Sequence, residues 1–143
     1  MNIFTHRPTI WQLNTRLERR FRLGHPWVFS NELLESPKKT QPGSPIELQG
    51  LNGEFLAYGY GNPHSLIAFR TLCRNQNRPD WFSLQYINEK LKIARQLRES
   101  LGYHQHSHRL CYGEGDGLPG LVIDCYLTPQ GQRIFVVQIL TAG

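Results

Sequence analysis

The chain has 143 residues, an apolar share of 39% and a formal net charge of +5, which fits one domain of ordinary size or two small ones. No stretch approaches the roughly 18 uninterrupted apolar residues of a membrane span. The first residues carry no apolar segment with a small-residue cleavage site, so the sequence predicts a cytoplasmic protein without a membrane partner.

In chain order, Thr9 to Leu13 reads as a short strand. Asn14 or Thr15 then caps a short helix, Arg16 to Leu23, closed by Gly24. Pro26 cannot continue a helix, so His25 to Phe29 is extended, and Trp27 and Phe29 are expected in the core. Ser36 to Ser44 is a loop rich in Pro, Lys, Gly and Gln. Ile46–Leu48 and Phe55–Tyr58 flank Leu51-Asn52-Gly53, a strong hairpin signal. After a Gly/Pro connection at 59–63, Ser65 to Arg74 is a further strand. Short strands broken by such turns point to a small barrel.

The character changes near residue 76. Leu84, Ile87, Leu91, Ala94, Leu97 and Leu101 recur every three or four positions, predicting a helix over about 82–101 that ends at Gly102. Strands follow at about 108–112, 121–126 and 133–140. The last is apolar on both faces, which predicts a buried central strand. Its place three residues before Gly143 suggests an element that expects more protein after it.

Charge is uneven. Residues 1–79 hold ten Lys/Arg against five acids, whereas residues 80–143 balance at six each. The excess is mainly arginine, the better group for bidentate phosphate contacts and base stacking. Arg16, Arg19, Arg20 and Arg22 crowd one short helix, followed by His25; Arg70 and Arg74 come later in the same half, with Arg78 just beyond them. Phosphate-holding arginines beside rings that stack bases suit structured or single-stranded RNA.

Other motifs carry less. Gly115-Asp116-Gly117-Leu118-Pro119-Gly120 matches a dinucleotide fingerprint in form, but that fingerprint needs a helix after it. Leu121–Tyr126 is β-branched and apolar instead, so the glycines read as a connection between strands. His104, His106 and His108 alternate in a loop and are not read as a metal site. Glu114, Asp116 and Asp124 are the acids clustered near the glycines, and they are read as no hydrolase pair or calcium loop: Asp116-Gly117 and Pro119-Gly120 read as tight turns. Cys73, Cys111 and Cys125, an odd number at irregular spacing, read as buried thiols in a reducing compartment and not as nucleophiles. No catalytic site emerges from these residues.

Arg20-Phe21-Arg22-Leu23-Gly24-His25-Pro26-Trp27-Val28-Phe29 resembles the opening of the PUA RNA-binding domain at the front of bacterial S-adenosylmethionine-dependent rRNA cytosine-C5 methyltransferases. Gly59–Arg70 is similar to that family's closing PUA strands. Glu114–Asp124, with its Asp-Gly-Leu-Pro-Gly-Leu core, resembles a signature of the central domain that follows. Gly115 departs from the pattern, where a non-glycine residue such as Ser is expected.

The resemblance implies an α+β, mainly β protein: a PUA pseudo-barrel over 1–75, then a truncated strand-strand-helix-strand-strand domain over 76–143. In the family, S-adenosylmethionine and the catalytic cysteines belong to a Rossmann-like domain with no counterpart in these residues, and the three cysteines here do not match. Catalytic, cofactor and metal residues are therefore none. The expected RNA-binding set is Arg16, Arg19, Arg20, Arg22, His25, Arg70 and Arg74. The expected partners are RNA (rRNA in particular), a separate methyltransferase domain, and a second copy through the C-terminal strand. Two alternatives stand beside this reading: a stand-alone PUA-type RNA-binding or ribosome-associated adaptor, and an enzyme whose S-adenosylmethionine site lies within these residues.

Overall fold

The computed structural model describes residues 7–14 and 18–142. The chain divides into two compact units, Met1–Ser83 with Ala142–Gly143, and Leu84–Thr141. Among the described residues no helix is long and apolar enough to cross a membrane.

The first unit is a five-stranded sheet built from β1 (Thr9–Gln12), β2 (Trp27–Phe29), β3 (Ser44–Gln49), β4 (Phe55–Gly61) and β5 (Ile67–Cys73), in the order β1-β3-β4-β5-β2. β1 runs parallel to β3 and every other pair is antiparallel. The β3–β4 turn forms where Asn52-Gly53 predicts it. Gly53 takes φ +79°, and the Gly50 carbonyl accepts the Gly53 N–H at 3.0 Å. On β3 the period of two sends Ile46 and Leu48 inward and leaves Glu47 half-buried. They meet Trp11, Leu13, Phe21, Val28, Leu33, Leu56, Ala57, Ala68 and Phe69 in one core. Gly59 lets β4 lie tight against β5, since a Cβ there would fall onto the Arg70 carbonyl oxygen.

The helix predicted over Arg16–Leu23 is described as α1 (Glu18–Arg22); Thr15 and Arg16 lie outside the described residues. Phe21 anchors it in the core, 6.2 Å from the Phe69 ring. Gly24, at φ +106°, ends it by donating to the Phe21 carbonyl. One expectation is corrected here. On the three-residue β2 the strand period buries Val28, so Trp27 and Phe29 are only half-buried.

The second unit packs α2 (Leu84–Ser100) against an antiparallel sheet of β6 (His108–Tyr112), β7 (Leu121–Leu127) and β8 (Arg133–Ile139), in that order. Ile87 and Leu91 cover a core of Cys111, Leu118 and Ile123. Leu84, Leu97 and Leu101 of the same apolar series stay exposed, so the helix buries only part of its stripe.

The prediction for the last strand is also corrected. β8 is an edge strand and all seven of its residues are exposed. Among the described residues its one neighbour is β7, whose other side pairs with β6, and the helix core lies over β6 and β7. The glycine segment behaves as the sequence predicts. A 3-10 turn, Gly113–Asp116, leads through Gly117–Gly120 into β7. Gly120 takes φ +75°, and a Cβ there would meet the Thr141 side chain.

Candidate nucleic-acid interface

The arginines of the first unit divide by what already holds them. Arg20 donates from Nη2 to both oxygens of Glu32, at 2.6 and 2.7 Å. Glu32 is buried and also accepts the Phe29 N–H at 2.8 Å; the Arg20 guanidinium lies 5.3 Å from the Phe29 ring centre. Arg20 thus ties α1 to the 3-10 turn Ser30–Glu32 that follows β2. Arg22 is shared between Glu18 and Glu54, each at 2.5 Å. Glu54 is held below the ordinary glutamate range, first by its own backbone N–H and further by the Arg22 charge.

Arg74 closes the end of α1. Its guanidinium donates to the Phe21 carbonyl at 3.1 Å and the His25 carbonyl at 2.8 Å, and covers the Phe21 ring at 4.1 Å. A cation at the C-terminal carbonyls of a helix complements its dipole. Burial pushes the Arg74 guanidinium below its usual pKa.

Arg19 differs from these three. It is exposed and, among the described residues, has no carboxylate partner. Beside α1, His25, Trp27 and Arg70 form a continuous face. Trp27 and Arg70 are register partners across β2 and β5, with the guanidinium 5.5 Å from the indole centre. The His25 ring meets Trp27 edge-on at 5.8 Å. His25 Nδ1 lies 3.2 Å from the Trp27 N–H and 3.1 Å from its carbonyl, so one tautomer accepts and the other donates.

The structure therefore gathers His25, Trp27, Arg70 and Arg74 into one chain of contacts. It gives Arg20 and Arg22 internal carboxylate partners and leaves Arg19 exposed. Arg16 lies outside the described residues. Arg78, just beyond Arg74 in sequence, pairs with Asp80 at 2.7 Å. Glu32, which fixes Arg20, was missed from the sequence: it sits twelve residues away in a polar run with no local signal.

Residues 12–74 match the model of the PUA-like domain. This part of the chain is a PUA-like domain. Ribosomal RNA large subunit methyltransferase I of Erwinia tasmaniensis is 35% identical over 121 residues, covering 83% of this chain and 29% of that protein. The enzyme of the same name from Aliivibrio fischeri strain MJ11 is 34% identical over 128 residues, covering 88% and 31%. The chain is homologous to these proteins and spans less than a third of their length. In fold it resembles a chain from Streptococcus mutans assigned as a SAM-dependent methyltransferase, with a TM-score of 0.65 at 17% identity, over 82% of this chain and 30% of that one.

S-adenosylmethionine, which the homology brings to mind, does not fit the glycine segment. The Gly117 and Leu118 N–H groups donate to the Glu114 and Gly113 carbonyls, the Tyr112 N–H is spent on Asp116, and β7 follows where a helix would be needed. The segment is a turn, and these donors are used internally. Among the described residues no His/Cys/Asp/Glu group has the arrangement of a metal site, and Cys73, Cys111 and Cys125 are buried free thiols.

Proposed function

We propose that this chain is an RNA-binding module that delivers ribosomal RNA to a cytosine-C5 methyltransferase activity in the cytoplasm, with no catalysis of its own. The observation that carries the reading is the face of His25, Trp27 and Arg70 on a PUA-like domain, with Arg19 exposed on α1 of the same unit. It sets cationic guanidinium groups beside a half-buried indole and an imidazole. Guanidinium groups hold phosphates while rings accept unstacked bases, the combination single-stranded and looped RNA requires. Arg20, Arg22 and Arg74 are held by carboxylate and carbonyl partners, with which phosphates would have to compete.

In this reading residues 1–75 recognise RNA and residues 76–143 serve the catalytic domain. The exposed apolar residues of β8 beyond Phe135, among them Val137 and Ile139, support docking of that Rossmann-like domain, which supplies S-adenosylmethionine binding. Self-association through the same strand is the competing use, and a stand-alone adaptor would need neither. NMR amide shifts on adding a large-subunit rRNA hairpin test the proposal. Changes clustering at Arg19, His25, Trp27 and Arg70 agree with it; changes confined elsewhere contradict it.

A further inference from the structure

A second cationic cleft lies wholly within the second unit, where residues 80–143 carry no net charge. It measures about 370 Å³ and is lined by Arg95, Arg98, His104, His108, Arg133 and Phe135, with Glu99, Leu110 and Cys125 completing its wall. Arg98 is neutralised by Asp116, fork to fork, at 2.5 and 2.8 Å. Arg95 pairs with Glu99 at 2.7 Å.

Arg133 is held differently. Its guanidinium donates to the His104 carbonyl at 2.8 Å and contacts Cys125 Sγ at 3.8 Å, and among the described residues it has no carboxylate partner. A guanidinium fixed by neutral acceptors keeps its charge uncompensated and retains unused donors. Phe135, 53% exposed, stands two residues along β8 and so on the same sheet face. His104 Nδ1 is buried and has no hydrogen-bond partner among the described residues.

We infer that this cleft binds one nucleotide of single-stranded RNA, its phosphate on Arg133 and its base stacked on Phe135. A positioned, unpaired cation beside an exposed aromatic ring is the pairing that grips single strands with little sequence preference. The inference rests on the RNA-binding reading but uses none of the residues of the PUA-like face. It gives the chain a contact on the second unit in addition to the PUA-like face.

The test is photocrosslinking of the intact chain to a single-stranded oligouridylate carrying 4-thiouridine, with adducts located by mass spectrometry, together with affinities for the same oligomer. Adducts are expected on β8, and Arg133→Ala should diminish them. Phe135→Ala should weaken binding about five-fold or more, and Arg133→Ala should lower the slope of log affinity against log salt by about 0.7. Both side chains are exposed, and the wild-type adduct map needs no variant. Adducts only within residues 7–83 would overturn this cleft and leave the PUA-like face standing. Absence of both adducts and binding would remove the two together.

Discussion

Arg20 reaches Glu32 across twelve residues of chain and places one nitrogen between both oxygens of a buried carboxylate, at 2.6 and 2.7 Å. This pair fixes α1 against β2 and thereby sets where Arg19 stands. Glu32→Gln removes the charge from Arg20's partner and weakens the acceptor of the Phe29 N–H. A charged hydrogen bond of this kind contributes about 1.5–3 kcal/mol. The urea midpoint should fall accordingly with an unchanged m-value; an unchanged midpoint would show that the pair does not hold the helix.

Arg19 and Arg22 sit on the same helix turn, yet only Arg22 has carboxylate partners, Glu18 and Glu54. Arg19→Ala should therefore leave stability within about 0.5 kcal/mol and weaken RNA binding evenly across sequences. Arg22→Ala should affect RNA affinity less. Affinities of the two variants for one RNA hairpin decide the matter, and equal losses would mean that the ion pairs do not restrain Arg22.

Asp124 accepts two hydrogen bonds from Arg109, at 2.8 and 3.1 Å, which lower its pKa below the ordinary aspartate value of 3.8. A carboxyl lowered in the folded state stabilises above its unfolded pKa, and the contribution disappears as pH falls through the folded value. Asp124→Asn should thus reduce stability at neutral pH, with the gap from wild type closing below about pH 4. Denaturation across that range measures it, and a gap independent of pH would contradict the assignment.

Gly120 combines φ +75° with a Cβ position occupied by Thr141. Gly120→Ala should destabilise the second unit by more than about 1 kcal/mol through backbone strain alone. Pairing with Thr141→Ala should recover only the steric part. Thermal denaturation of the single and double variants separates the two, and full rescue would show that the left-handed backbone costs nothing.

Much of the architecture was legible because it is local. Asn52-Gly53 dictates the β3–β4 turn, Gly24 ends α1, and the β-branched apolar run Leu121–Tyr126 gives a strand, not a helix, after the glycines. Burial was less legible because it depends on neighbours. Trp27 and Phe29 look like core residues by type, but a three-residue strand buries only Val28 between them. β8 looks buried by composition, but nothing in its own residues says that it has a single neighbour. The basic set was visible as charge, but its division into bound and exposed arginines was not. Glu32 and Glu54 reach Arg20 and Arg22 only through the fold, and Arg133 shows its uncompensated charge only beside Cys125 and the His104 carbonyl.

The most direct test of the central claim is titration of the chain with a large-subunit rRNA hairpin at rising salt, repeated for Arg19→Ala combined with Arg70→Ala. Phosphate recognition by the PUA-like face predicts affinity falling steeply with salt, and a shallower slope in the double variant, reduced by roughly 0.7–0.9 for each lost phosphate contact. Affinity that ignores salt, or a double variant with the wild-type slope, would contradict it.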